Sequence, residues 1–242
     1  MSKDLSIIIP ALNEIYLQKT ITNILENIEA DTEIIAVCDG YWPDPPIEDH
    51  ERVILIHHTK PKGQRQSINE AAKIADGKFM MKLDAHCAVG PGFDRILIEN
   101  AEPGCTYVPR MYNLNVDTWK PKKHKLTDYM YIGFNDRGEM RAMYYSDYSN
   151  AEYKRWHSSK EEIDATMCCM GPGWFMSLED FWKQGGCDEK HGSWGQQGIE
   201  VGMNAWTIGE GLYVNKKTWF SHWFRGNQGW PYPISGKDIS KA

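Results

Sequence analysis

Asp84-Ala85-His86 follows the apolar run Lys78 to Leu83 and offers a carboxylate and an imidazole one residue apart. In extended backbone, side chains two positions apart face the same side, so both groups can reach one point. One carboxylate with one or two imidazoles suits Mn²⁺ and leaves coordination positions for phosphate oxygens and water. A cation held in this way stabilises negative charge that builds on a departing phosphate. The same two residues also make an ordinary polar turn with an incidental histidine, so the reading depends on what the fold brings beside them.

Other residues could complete such a site. Asn13 and Glu14, Asp39, and Asp84 with His86 each follow a short apolar run. Glu14 and Asn13 fit a helix start equally well, because Asn is favoured at the N-cap and acids in the first turn. Lys62-Gly63-Gln64-Arg65 precedes a helix, where backbone amides and cations meet either a phosphate or water. Trp174 and Phe175 follow a Gly-Pro-Gly turn, which is a place for a stacking aromatic or for core. Arg225 offers a planar fork for phosphate, three residues after His222. Glu200 is either a working carboxylate or a plain first-turn helix acid. The basic run at Lys120, Lys122, Lys123, His124 and Lys125 reads as a solvated face unless a binding partner is anionic.

The elements that must position these groups are legible in the first ~85 residues. Leu5 to Ile9 is apolar apart from Ser6 and meets Pro10, as a parallel strand buried on both faces would. Ile15 to Ile28 carries Leu17, Ile21, Ile24, Leu25 and Ile28 at helical spacing. Strand-like runs recur at Glu33 to Cys38, Val53 to Ile56 and Lys78 to Leu83, with a helix over Gln64 to Ala75. This alternation predicts an open, mostly parallel sheet flanked by helices, with ligands beyond the carboxyl ends of its strands. From Cys105 to Thr166 the periodicity fails apart from a hairpin-like Asn135 to Glu139. A helix from Leu178 and another carrying Ile199, Met203 and Trp206 on one face follow. The tail from Gly226 reads as a hinged loop.

With 242 residues the chain can bury a substantial core, and 10 Trp leave rings to line a pocket. A formal net charge of -6 argues against a basic nucleic-acid wrapper. No apolar run approaches a membrane span, Met1 to Asp4 shows no signal-peptide pattern, and six cysteines without C-x-x-C spacing are expected to be reduced. The expectation is a cytoplasmic protein with no membrane partner.

Ile7 to Glu14 resembles the opening strand and loop of family 2 glycosyltransferases, and Lys82 to Cys87 resembles the metal motif of polypeptide N-acetylgalactosaminyltransferases. In the same order as in the latter come Trp194-Gly195 through Glu200, Trp206, Ser221-His222-Trp223-Phe224-Arg225, and Pro231-Tyr232-Pro233. The resemblance covers roughly residues 5 to 95 and 168 to 235. It implies one GT-A (Rossmann-like) α/β domain over 1–242, with a nucleotide-sugar half (1–104), an acceptor half (105–225) and a lid and tail (226–242). It further implies a UDP-sugar donor and Mn²⁺, or Mg²⁺, on Asp84, His86 and His222. Donor contacts are expected from Pro10, Glu14, Asp39, Arg65, Trp174, Trp194 and Tyr232, with Arg225 closing over the diphosphate.

The segment after Trp194-Gly195 departs from that pattern, because Gln197 stands where the polypeptide enzymes carry an acid and only Glu200 remains. Glu200 becomes the expected acceptor-side carboxylate, with Arg225 the second catalytic residue. The acceptor hydroxyl could belong to a saccharide, a protein Ser or Thr, or a hydroxymethylated DNA base. The alternatives are a non-catalytic nucleotide-sugar-binding module, suggested by Gln197, and a nucleotidyltransferase, which would be expected to carry a Gly-x-Gly loop where Pro10-Ala11-Leu12-Asn13-Glu14 stands.

Overall fold

The computed structural model describes residues 2–144, 158–192 and 195–225, with backbone only at 123–125. Its centre is a mixed sheet in the order β10-β12-β6-β11-β4-β1-β2-β3. The strands are β1 (Lys3–Ala11), β2 (Thr32–Asp39), β3 (Val53–His58), β4 (Gly77–Leu83), β6 (Thr106–Asn115), β10 (Ile163–Ala165), β11 (Gly173–Ser177) and β12 (Leu212–His222). Six of these eight run in one direction, while β11 and β10 are reversed. Two short strands sit off this path: β5 (Cys87–Val89) pairs β12, and β7 (Lys120–Thr127) pairs β6. The basic run lies on β7. A separate hairpin of β8 (Met130–Phe134) and β9 (Met140–Tyr144) turns at the expected Asn135 to Glu139.

Local sequence explains the central layer. Leu5 to Ile9 and Ile34 to Cys38 have no exposed surface because helices cover both faces of their strands. The strand does not end at Pro10 as expected. Pairing with β4 stops at Ile8 opposite Lys82, so the missing proline N–H falls where that neighbour has already left. Helix α1 (Leu17–Asn27) buries Leu17, Thr20, Ile21 and Ile24, and α2 (Gln64–Ile74) buries Ile68, Ala71 and Ala72, close to the predicted faces. Helices α3 (Phe93–Glu99) and α4 (Leu178–Lys183) complete the packing. Helix α5 (Gln197–Thr207) differs from expectation: its buried face is Gln197, Gly198, Ile199, Val201, Gly202 and Ala205, whereas Met203 and Trp206 are exposed. The two glycines set that face by close approach. A Cβ on Gly198 would sit 1.8 Å from the Cys169 carbonyl oxygen.

Among the described residues no helix is long and apolar enough to cross a membrane.

Candidate functional site

The carboxyl ends of β1, β2, β4 and β12 share one edge, and beyond them lies a cavity of about 930 Å³. Its wall includes Pro10, Glu14, Asp39, Asp84, His86 and His222, within the usual size range of small-molecule sites. Asp84, His86 and His222 each present one ligating atom, all within 4.8 Å of one another.

Strand pairing explains how residues far apart in sequence converge. After Asp84 the chain folds back into β5, where Cys87 lies opposite His222 and the Trp223 N–H donates to the His86 carbonyl at 3.1 Å. Thr20, buried on α1, fixes the intervening turn: its hydroxyl donates to the Ala85 carbonyl (3.0 Å) and accepts from the Cys87 N–H (3.2 Å). His86 Nε2 and His222 Nε2 are 2.9 Å apart, and His222 Nε2 is 3.4 Å from Asp84 Oδ2. Glu14 Oε2 accepts from His86 Nδ1 at 2.8 Å. Placing the proton on Nδ1 leaves the Nε2 lone pair facing the other ligand atoms.

The electrostatics suit a cation. Burial pushes His222 down to about 4, outweighing the pull of its hydrogen bond to Asp84, so its imidazole is neutral near pH 7. Burial would raise the Asp84 carboxyl, but the Lys82 ammonium and His222 together hold it well below the usual carboxylate range. A carboxylate and two imidazoles are a fitting donor set for Mn²⁺ or Mg²⁺ with open positions. His222 Nδ1 is buried without a partner among the described residues.

The other expected residues divide into two groups. Asp39 lines the cavity and accepts from the amides of Lys62 (2.7 Å) and Gly63 (2.8 Å) and from His58 Nδ1 (2.8 Å). Those amides therefore face a carboxylate of the protein rather than a phosphate, and Gly63 needs its φ of 97° to turn the chain there. Pro10 forms part of the wall. Glu14 also reaches the cavity, but its carboxylate is taken by His86 and Arg225, so it orients the site rather than offering a free nucleotide contact.

Three expectations are corrected. Trp174 is fully buried and stacks on Phe181 at 5.9 Å, because β11 is an interior strand with packing on either side. Arg65 does not line the cavity: its Nε donates to Glu200 Oε2 at 2.7 Å and its guanidinium also donates to the Gly195 carbonyl at 2.8 Å. Glu200 is held by that ion pair and by the Asp188 N–H at 2.6 Å, and it does not line the cavity. Arg225 rests on Glu14 and over the Trp223 ring. Trp194 and Tyr232 lie outside the described residues.

Sequence reasoning assigned no contact here to the side chains of Lys82, Gln64, Arg141 and Gln197. Lys82 and Gln64 both donate to Asp84 Oδ1. Arg141 reaches the wall from β9, and Gln197 presents a buried carboxamide oxygen without a partner among the described residues. Lys82 left one signal, a lysine between Met81 and Leu83 near the end of a largely apolar strand.

The glycosyl transferase family 2 model matches residues 6–181, well over half of the chain, and the chain belongs to that family. Its fold is GT-A. Comparison with curated proteins finds no match. Among solved structures it is similar to GalNAc-T7 with UDP, GalNAc and Mn²⁺, at TM-score 0.72 and 18% identity, over 97% of this chain and 46% of that one. It is also similar to S. aureus TarS, at TM-score 0.59 and 12% identity, over 91% of this chain and 37% of that one. The TarS 1–349 fragment gives TM-score 0.57 and 13% identity, over 91% and 60%. At these identities the likeness is one of fold, and the chain spans less than half of GalNAc-T7.

Proposed function

We propose that this chain binds a UDP-sugar in the cavity and transfers the sugar to a hydroxyl acceptor, with Asp84, His86 and His222 holding Mn²⁺ or Mg²⁺. The observation that carries the reading is the convergence of one carboxylate and two imidazoles on the wall of a cavity at the carboxyl edge of a family 2 sheet. A UDP donor is supported by GalNAc-T7, whose structure contains UDP and Mn²⁺. When bound, the cation would draw charge from the departing diphosphate.

The chain's own residues then have distinct tasks. Glu14 fixes the tautomer of His86, and burial keeps His222 an uncharged donor. Asp39, braced by two amides and His58, stands with Pro10 where a nucleoside would lie. Arg225 exchanges Glu14 for the diphosphate once the donor is present, which places a planar fork where charge develops. Gln197 Oε1 accepts a hydroxyl of the sugar or of the acceptor, satisfying a buried atom that lacks a partner among the described residues. Arg65 and Glu200 act as positioning residues that tie Gly192 and the 195–200 segment beside the cavity.

The test is UDP release from a panel of UDP-sugars, in Mn²⁺ and in EDTA, with saccharide, peptide and hydroxymethylpyrimidine DNA acceptors. Metal-dependent release stimulated by one acceptor class is expected. Tight donor binding without turnover on any acceptor would instead make the chain a binding module.

A further inference from the structure

Lys82 has no exposed surface, and an ammonium in that position persists only when paired. Its Nζ has two acceptors: Asp84 Oδ1, and the Gly171 carbonyl at 2.7 Å. The two oxygens of Asp84 are thereby made unequal. Oδ1 takes Lys82 and also Gln64 Nε2 at 3.2 Å, whereas Oδ2 faces His222 Nε2 at 3.4 Å.

We infer that Lys82 is a built-in counter-cation of the metal site, which holds Asp84 as a one-oxygen ligand and keeps the site assembled when no metal is bound. The inference rests on the metal-site reading above. With Oδ1 occupied, only Oδ2 is free to ligate, so more coordination positions remain for the donor's phosphate oxygens. The fixed positive charge weakens metal affinity by repulsion, and in return Asp84 is not left as an unpaired charge before loading. Lys82 also ties the site to the opposite wall. Its ammonium reaches Gly171, the Asp84 N–H donates to the Pro172 carbonyl at 2.8 Å, and Trp174 pairs with Lys82 across β11 and β4. The strand that carries Asp84 is thus tied to the wall at Gly171 and Pro172. A mere fold buttress would have no reason to discriminate between the metal-free and metal-loaded protein.

The experiment compares the wild type with Lys82→Met, Asp84→Asn and the double variant. Free Mn²⁺ is followed by electron paramagnetic resonance, and thermal unfolding is measured in EDTA and in Mn²⁺. Lys82→Met is expected to bind Mn²⁺ at least about tenfold more tightly, as removal of one unit charge within ~10 Å implies. Its melting temperature should fall more in EDTA than in Mn²⁺, and Asp84→Asn added to it should recover part of the loss in EDTA. Equal or weaker Mn²⁺ binding, with equal losses in both media, would overturn the inference. If Lys82→Met folds only with Mn²⁺, or fails to fold while the double variant folds, counter-charge is supported. If both fail in both media, Lys82 is a fold buttress and the inference falls. A wild type that does not bind Mn²⁺ defeats the metal-site reading first, and this inference with it.

Discussion

Replacing Glu200 separates two roles for the same carboxylate. In the structure it is buried against Arg65, with side-chain exposures of 9% and 2%, at an Nε to Oε2 distance of 2.7 Å. Glu200→Ala leaves the Arg65 guanidinium buried with only the Gly195 carbonyl (2.8 Å) and the longer contacts to Gly192 and His191. It also removes the acceptor of the Asp188 N–H, which donates to Glu200 Oε1 at 2.6 Å and is open to water. Removing one partner of a buried pair costs about 3–5 kcal/mol. For a chain of this size even the low end lowers the melting temperature by roughly 6–12 °C. Glu200→Gln, which keeps the shape and an acceptor, should cost about 1–3 kcal/mol, in the range of a weakened charged hydrogen bond. Urea unfolding followed by circular dichroism, beside donor turnover, checks both. Wild-type stability in Glu200→Ala together with lost turnover would refute the positioning role and return Glu200 to the acceptor side as a base.

Two further outcomes follow from packing and charge. Gly198→Ala places a Cβ 1.8 Å from the Cys169 carbonyl, where only backbone movement can relieve the clash. It should destabilise by about 2 kcal/mol or more, at the upper end for overpacking, and a melting curve like the wild type would contradict the close approach of α5. Acidification should weaken the metal-free protein through His222. Its folded value is pushed down to about 4 from an ordinary 6.5, so the unfolded chain takes the proton first. Stability is then full above 6.5 and is lost as the pH falls to about 4, by at most about 3 kcal/mol from this group. Asp84, held below its ordinary 3.8, adds a loss in the same direction at still lower pH. Urea unfolding from pH 7.5 to 4.5 in EDTA measures the slope, and His222→Asn should flatten it.

How much of this was legible depended on the range of the interactions. The alternation over the first ~85 residues read cleanly because each strand there is buried on both faces and each helix on one, so local periodicity and tertiary burial agree. Asp84 and His86 were visible as a strand-end pair, whereas His222 required the resemblance, since only the pairing of β5 with β12 brings it to them. The Arg65–Glu200 pair was hidden because its members are 135 residues apart and each alone reads as a helix-start residue. Trp174 was misassigned because the Gly-Pro-Gly turn says where a strand begins but not that both of its faces are packed. Over the described residues 105–144 the period is lost because β7 pairs only the far end of β6, off the main sheet path, and β8 pairs β9 in a separate hairpin, leaving Phe134, Met140 and Tyr144 exposed.

The central claim is that three side chains hold a divalent cation against the donor's diphosphate. Calorimetric titration of UDP into the wild type and His222→Ala, each with Mn²⁺ and with EDTA, tests it most directly. UDP should bind the wild type in Mn²⁺, lose at least about tenfold in affinity in EDTA, and show little dependence on Mn²⁺ in the variant. Equal UDP affinity for the wild type in Mn²⁺ and EDTA, or undiminished Mn²⁺ dependence in His222→Ala, would contradict the account.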